Sequence, residues 1–318
     1  MFKESFKYYK TKCCTIDFSN VLDLNNDITW NKYNVKKNSI DDYQQDSITS
    51  ISFCFKPVKT WEVFQINDKP GLIVIKNPFT SIGQRYWVVK CLRDYSKKPN
   101  RRNIDSITSI SNVDNWWEKC NKLDNNELLK KLRWSTLGYH HNWDTKLYSE
   151  KDKTNFPHEL KELTQFLADI LGYPNYSAEA AIINYYHMDS TLSGHTDHSE
   201  VNLKAPLFSF SFGQTAIFLI GGKTIEDSAI PIFLRSGDIL IMSNESRLCY
   251  HGVPRILKTE ERPWEIDTKD STQEVLKYND ALSICKDEEI WKPFSMYINY
   301  SRVNMNIRQV LNKGQQTL

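Results

Sequence analysis

The chain has 318 residues, 40% hydrophobic and 25% charged, the make-up of a globular protein with one large or two ordinary domains and a full core. No apolar run reaches the roughly 18 to 20 residues that a membrane span needs, so no membrane association is expected. The formal net charge is only +2 and the pI is near 8.0, so a polyanionic partner would have to be met by local patches, not by a global field.

Seven cysteines, at 13, 14, 54, 91, 120, 249 and 285, form no C-x-x-C pair. An odd, unpatterned set reads as reduced thiols of an intracellular protein, with Cys13 and Cys14 in surface or packing roles. The start, MFKESFKYYK, lacks the apolar stretch of a secretion signal. Nucleus, cytoplasm and mitochondrion stay open, and a monomer is expected.

Residues 1–70 are rich in Lys, Asn, Asp and Ser with short apolar islands, and read as an irregular extension wrapping a core. GLIVIKNPF (71–79) is a buried strand, followed by a helix carrying Ile82, Tyr86, Val89 and Tyr95. KKPNRRN (97–103) is a basic loop, either solvated or in contact with phosphate. Residues 114–134 are largely helical behind an Asp114 cap, and Lys130, Lys131 and Arg133 could face phosphate or water. Residues 136–157 have no clean period and read as a long loop. Its Tyr139, His140, His141, Trp143 and Tyr148 are either core packing or a stacking surface for a base. A helix over 157–172 starts with Pro157, lines Leu160, Leu163, Leu167 and Leu171 along its core face, and stops at Gly172.

From 178 the chain turns to β. AEAAIINYYHM, LFSFSFG, AIFLIGG, PIFLRSGD, ILIMS and YINYSRVNMNIRQVL are short strands separated by turns, which predicts a sandwich or jelly roll. Residues 259–294 interrupt the series with charge and weak helical character, as an insertion before the last strand. The expected organisation is an extension (1–70), a helical and loop region whose aromatic loop is the candidate stacking surface for a base (71–175), a β core carrying the insertion (176–311) and a tail (312–318).

Two patterns in the β half point to chemistry. In NYYHMDSTLSGHTDHSE, His195 and Asp197 lie two residues apart and can share one cation if the backbone is extended. A second imidazole, His251, follows strand-like ILIMS. Two His and one carboxylate on one face, with open positions opposite, suit an iron(II) that must also take a co-substrate and dioxygen. In SRVNMNIRQVL, Arg302, Asn304, Asn306 and Arg308 alternate with Val303, Met305 and Ile307. Two guanidinium forks on one strand face suit a dicarboxylate such as 2-oxoglutarate.

These stretches, together with PLFSFSFGQTAIFLIGG and SGDILIMSNESRLCYHGVPRI, resemble the AlkB family of iron- and 2-oxoglutarate-dependent dioxygenases over about residues 5 to 311. RWSTLGYHHNWDTKLYS and PGLIVIKNPF resemble its homologue-one branch. The resemblance implies an α+β protein with a double-stranded β-helix (jelly-roll) catalytic core and an α-helical N-terminal extension. It implies that His195, Asp197 and His251 are catalytic and hold Fe(II). Arg302 would pair the distal carboxylate of 2-oxoglutarate, with Asn184, Tyr186, Asn304 and Arg308 as its other contacts and O2 as the second co-substrate. Tyr139, His140, Trp143, Ser199 and Glu200 are the expected substrate contacts. Ser199 stands where bacterial-type enzymes carry an acidic base-contacting residue, so their base preference does not transfer. The other histidines, His158, His187 and His198, read as structural or solvated.

The implied activity is oxidative demethylation of N-methylated bases, methyladenine or methylcytosine in tRNA or DNA, releasing formaldehyde and succinate. The base would be flipped out, or held in a loop or single strand. The alternatives are a dioxygenase acting on protein or a small molecule, and an abasic-site DNA lyase working through a lysine Schiff base.

Overall fold

The computed structural model describes residues 1–318 except 13–15, 39, 41–52, 109, 111, 124–125 and 267–277, and except the side chains of 122, 123 and 126. Cys13 and Cys14 lie outside the described residues. Cys91, Cys120 and Cys249 are buried free thiols, and no described helix is long and apolar enough to cross a membrane.

Thirteen strands are described, in chain order β1 (Val35–Asn38), β2 (Glu62–Ile66), β3 (Leu72–Lys76), β4 (Arg101–Arg102), β5 (Trp134–Gly138), β6 (Ala180–His187), β7 (Leu192–His195), β8 (Leu207–Gly213), β9 (Thr215–Ile220), β10 (Ile230–Leu234), β11 (Ile239–Met242), β12 (His251–Leu257) and β13 (Ser301–Arg308). They form a nine-stranded sheet, β1-β2-β3-β11-β8-β13-β6-β5-β4, and a four-stranded sheet, β10-β9-β12-β7. Every strand pair is antiparallel. Phe64, Val74, Tyr186, Leu207 and Leu240 of the larger sheet share one core with Phe218, Ile220, Ile232, Val253 and Ile256 of the smaller. That is the jelly-roll sandwich expected from the sequence.

The outer face of the large sheet is covered by helices α2 (Ser81–Val89), α3 (Trp116–Leu123), α4 (Asn126–Lys131), α5 (His158–Ile170), α6 (Leu282–Lys286) and α7 (Glu288–Ile298), while α1 (Phe2–Lys10) packs on the small sheet. Covering both faces removes the need for polar alternation. Accordingly β8, β9 and β11 are buried at every position. In β13, Val303, Met305 and Ile307 enter the helix-side core, which leaves Arg302, Asn304 and Arg308 to look between the sheets. Helix α2 begins where Thr80 accepts the Gly83 amide at 3.0 Å, and α5 buries Leu160, Leu163 and Leu167 completely.

The structure departs from the sequence reading in four places. The first 70 residues are not irregular throughout: they supply α1, β1 and β2, the last two extending the large sheet beside β3. The long loop begins later than expected, because Trp134–Gly138 is β5, paired to β6. Asn115, not Asp114, caps α3, accepting the Glu118 amide at 3.1 Å, while Asp114 pairs with Lys98 at 3.0 Å. Finally, the cations of the basic loop are used internally. Lys97 meets Asp94 at 3.1 Å, Arg101 meets Asp152 at 2.7 Å and Arg102 meets Asp105 at 2.6 Å.

Candidate active site

Register builds the site. β7 ends and β12 begins at residues that pair with each other, His195 opposite His251, so two distant imidazoles meet at the rim of the small sheet. Asp197 follows two residues after β7. Among the described residues, this trio is the one group of metal-capable side chains brought together, its ligand atoms all within 4.8 Å. His195 Nε2 lies 3.9 Å from Asp197 Oδ1, and His251 Nε2 lies 3.7 Å from Oδ2.

Each imidazole is oriented from behind. His195 Nδ1 is 2.9 Å from the Ser193 carbonyl and His251 Nδ1 is 3.0 Å from the Cys249 carbonyl. A carbonyl only accepts, so both Nδ1 atoms carry the proton and both Nε2 lone pairs face the shared centre. Burial and the neighbouring His195 push His251 down to about 4, which keeps it neutral and able to ligate. Burial alone would raise the Asp197 carboxyl, but the Arg308 charge and the two imidazoles outweigh it and hold it below the usual range.

Two cavities open on this centre. The inner one, about 30 Å³, is lined by Tyr186, His195, Phe218, His251, Arg302 and Asn304 among others. The outer, about 580 Å³, includes His141, Trp143, Lys146, Tyr148, Asn184 and Ser199 along its wall. Arg302 is fully buried at the inner end, placed by its register opposite Tyr186. Its Nη atoms donate to Ser211 Oγ at 2.7 Å and to the Leu234 and Gln214 carbonyls at 3.2 and 3.3 Å, while Nε has no partner. No described carboxylate forms an ion pair with it, and burial lowers it to about 10. A buried guanidinium with an unmet donor fits an incoming carboxylate. Two imidazole nitrogens and a carboxylate oxygen likewise fit a divalent iron with free positions.

Other expected residues fall into three groups. Tyr186 and Asn304 line the inner cavity, and Asn304 is fixed by donating to Ser209 Oγ and the Phe210 carbonyl, both at 2.9 Å. Arg308 grips a member of the triad: its Nη2 donates to Asp197 Oδ2 at 2.8 Å and its Nε lies 3.2 Å from Glu200. Trp143 and Ser199 do line the outer cleft.

Of the other expected substrate contacts, Tyr139 and His140 do not line the outer cleft, and Glu200 lines it with its carboxylate engaged. Tyr139 is buried against Ala180, Val310 and Leu311 and donates to Glu150. His140 is buried with Nδ1 on Thr136 Oγ1 at 2.7 Å. Glu200 reaches the cleft wall, but its carboxylate is taken by Arg247 at 2.9 Å, the Tyr148 hydroxyl at 3.0 Å and Arg308. Tyr139 and His140 follow directly on β5 and are held in place by their backbones, the Tyr139 amide donating to the Glu179 carbonyl at 3.0 Å and the His140 amide to the Asp152 carbonyl at 3.1 Å.

The sequence reading left Arg247 out of the site. It donates to the Asp197 carbonyl at 2.6 Å as well as to Glu200, and no motif marked it, because an arginine four residues before a histidine is unremarkable. His141 and Lys146 also line the cleft. His158 is exposed beside Tyr278, His187 sits near Ser301, and His198 lines the outer cleft next to Thr196.

A jelly roll carrying this triad, with a buried arginine at the end of a narrow inner cavity, defines an iron- and 2-oxoglutarate-dependent oxygenase. The profile of the 2OG-Fe(II) oxygenase superfamily matches residues 71–308, and the chain belongs to that family. Within it the chain is 41% identical over 272 residues to the nucleic acid dioxygenase ALKBH1 of Mus musculus, covering 82% of this chain and 69% of that protein. It is 30% identical over 329 residues to the DNA N(6)-methyladenine demethylase ALKBH1A of Arabidopsis thaliana, covering 93% and 88%. It is also 30% identical over 268 residues to the tRNA demethylase abh1 of Schizosaccharomyces pombe, covering 78% and 82%. The protein is a dioxygenase using Fe(II), 2-oxoglutarate and O2.

Proposed function

We propose that this enzyme removes methyl groups from N-methylated bases of DNA or tRNA. The observation carrying this is the pair of cavities on one triad: a narrow inner one ending on Arg302, and an outer one walled by His141, Trp143 and Tyr148. An inner dead end suits the small co-substrate. An open aromatic cleft suits a flat base extruded from its strand, and the nucleic-acid activities for which the relatives above are named support nucleic acid as the substrate.

In this reading His195, Asp197 and His251 hold the iron, which together with 2-oxoglutarate and O2 supplies the oxidising power for hydroxylation of a methyl group. Arg302 receives the distal carboxylate, flanked by Tyr186 and Asn304. Tyr186 stays protonated, since burial raises it to about 12, so it meets the ligand as a neutral hydroxyl. Arg308 and Arg247 hold Asp197 from the side chain and from the backbone, fixing the carboxylate while charge changes beside it. The outer cleft positions the N-methyl group over the triad. The balance is N–CH3 plus O2 plus 2-oxoglutarate giving N–H, formaldehyde, succinate and CO2, with the hydroxymethyl amine breaking down unaided.

A methylated single-stranded oligonucleotide should yield demethylated base, formaldehyde and succinate in equal amounts, and its affinity should fall steeply with salt. Affinity that ignores salt, with turnover only on a peptide or small molecule, would reassign the substrate. Strand cleavage at abasic sites that survives iron removal would instead favour the lyase.

A further inference from the structure

Arg302 has an opposite number among the described residues, a carboxylate that is also buried with no ion-pair partner. Asp238, in the turn between β10 and β11, is 4% exposed, and its oxygens take backbone amides: Oδ2 accepts from the Arg235 N–H at 2.7 Å and Oδ1 from the Asn77 N–H at 3.1 Å. The guanidinium of Arg235 turns away to grip Asp23 at 2.8 and 2.9 Å. Closing the turn does not call for a charge, since a neutral Asn or Ser does the same, and burying an unpaired carboxylate is unfavourable.

The two buried charges meet across one peptide group. The Leu234 carbonyl accepts from Arg302 Nη1 at 3.2 Å, and the N–H of that same peptide, on Arg235, is the one that donates to Asp238. A cation at the oxygen and an anion at the N–H polarise the peptide in the same sense, so each strengthens the other's bond. The turn also sets a second neutral partner of Arg302. Ser211 donates its amide to the Asp238 carbonyl at 3.0 Å and its carbonyl accepts the Gly237 amide at 2.7 Å, while its Oγ accepts from Arg302 Nη2 at 2.7 Å. Leu234 and Arg302 line the inner cavity and Asp238 does not, so the carboxylate acts on a ligand there without touching it.

Resting on the placement of the distal carboxylate at Arg302, we infer that Asp238 is a positioning residue that moderates the grip of Arg302 on dicarboxylates, so that succinate, which keeps the distal carboxylate of 2-oxoglutarate, is released after turnover. An anion beyond the guanidinium holds the empty fork in place and repels the carboxylate that enters. The charged groups facing Asp238 are Arg235 of its own turn, Arg302 of β13 and Lys56 ahead of β2. Burial outweighs them and the two amides and raises the carboxyl to about 6. Asp238 is therefore an anion at pH 7.5 and mostly the neutral acid at pH 5.5.

The test is calorimetric binding to enzyme loaded anaerobically with Mn(II), which holds the co-substrate without turnover. The ligands are 2-oxoglutarate, succinate and 2-oxobutyrate, the last with no distal carboxylate. Asp238→Asn should tighten 2-oxoglutarate and succinate by about fivefold, the size of one charge felt through a partly screened site, and leave 2-oxobutyrate unchanged. A merely structural role would weaken all three together. Wild type gives the same test without a substitution: from pH 7.5 to pH 5.5 its preference for 2-oxoglutarate over 2-oxobutyrate should rise by about fivefold. Dicarboxylate binding that is unchanged or weaker in a well-folded variant, or a wild-type preference that ignores pH, overturns the inference and leaves the co-substrate site as described. If wild type binds 2-oxobutyrate as tightly as 2-oxoglutarate, the distal carboxylate does not sit at Arg302 and both readings fall.

Discussion

At the scale of single residues, the site rests on side chains that have few alternatives. His251 is buried and points its one free nitrogen at the triad, so His251→Ala should remove iron binding and turnover together, measured as bound metal per protein and as succinate formed. Arg302→Lys keeps the charge and loses the fork. It should raise the KM for 2-oxoglutarate by more than tenfold while iron content stays at the wild-type level; an unchanged KM would mean the distal carboxylate is bound elsewhere. His141 gives a pH prediction. Its folded value of about 4 lies below its ordinary 6.5, so the unfolded chain binds the extra proton first, and its share of stability is present above about pH 6.5 and lost as pH falls towards 4. His141→Phe should therefore lose less melting temperature than wild type between pH 7 and pH 4.5, and an identical loss would contradict that environment.

At the scale of elements, much was legible and the exceptions have physical reasons. The β half announced itself because covered strands are continuous apolar runs, as in TAIFLI. Alternation in β13 separated the core face from the face that looks between the sheets. β1 was invisible, since an edge strand spelled VKKN carries its charges outward, with Lys37 paired to Glu62 across the register. β5 hid because Ser135 and Thr136 are polar yet buried, Ser135 near the Tyr185 hydroxyl and Thr136 on His140. Likewise the triad was legible as residue types, whereas the arginine clamp around Glu200 was not, because pairing across 47 positions leaves no local spacing. The seat of α1 is another long-range feature. Phe2 is buried on Gly194, where a Cβ would lie 2.4 Å from its ring, and on Gly221 at 3.0 Å. Phe2→Ala should cost about 3 kcal/mol in urea unfolding. Gly194→Ala should be far more damaging in wild type than in the Phe2→Ala background, and equal damage in both would show that the helix does not press on the strand leading to His195.

At the scale of the whole molecule, the two sheets act as two halves of one binding device. The small sheet and the turn after it bring the triad, the large sheet brings Tyr186, Arg302, Asn304 and Arg308, and the inner cavity lies between. Iron and 2-oxoglutarate should therefore tie the sheets together and raise the melting temperature, by an amount equal to about 2.7 kcal/mol at a hundredfold excess over Kd. The most direct measurement is a single turnover: enzyme loaded anaerobically with Fe(II), 2-oxoglutarate and an N6-methyladenine oligonucleotide, then mixed with air-saturated buffer and analysed by mass spectrometry. The account predicts one succinate and one unmethylated adenine per active site, both absent in His251→Ala and both sharply reduced in Arg302→Lys at limiting 2-oxoglutarate. Succinate without demethylated base, or demethylation that persists without iron, would contradict it.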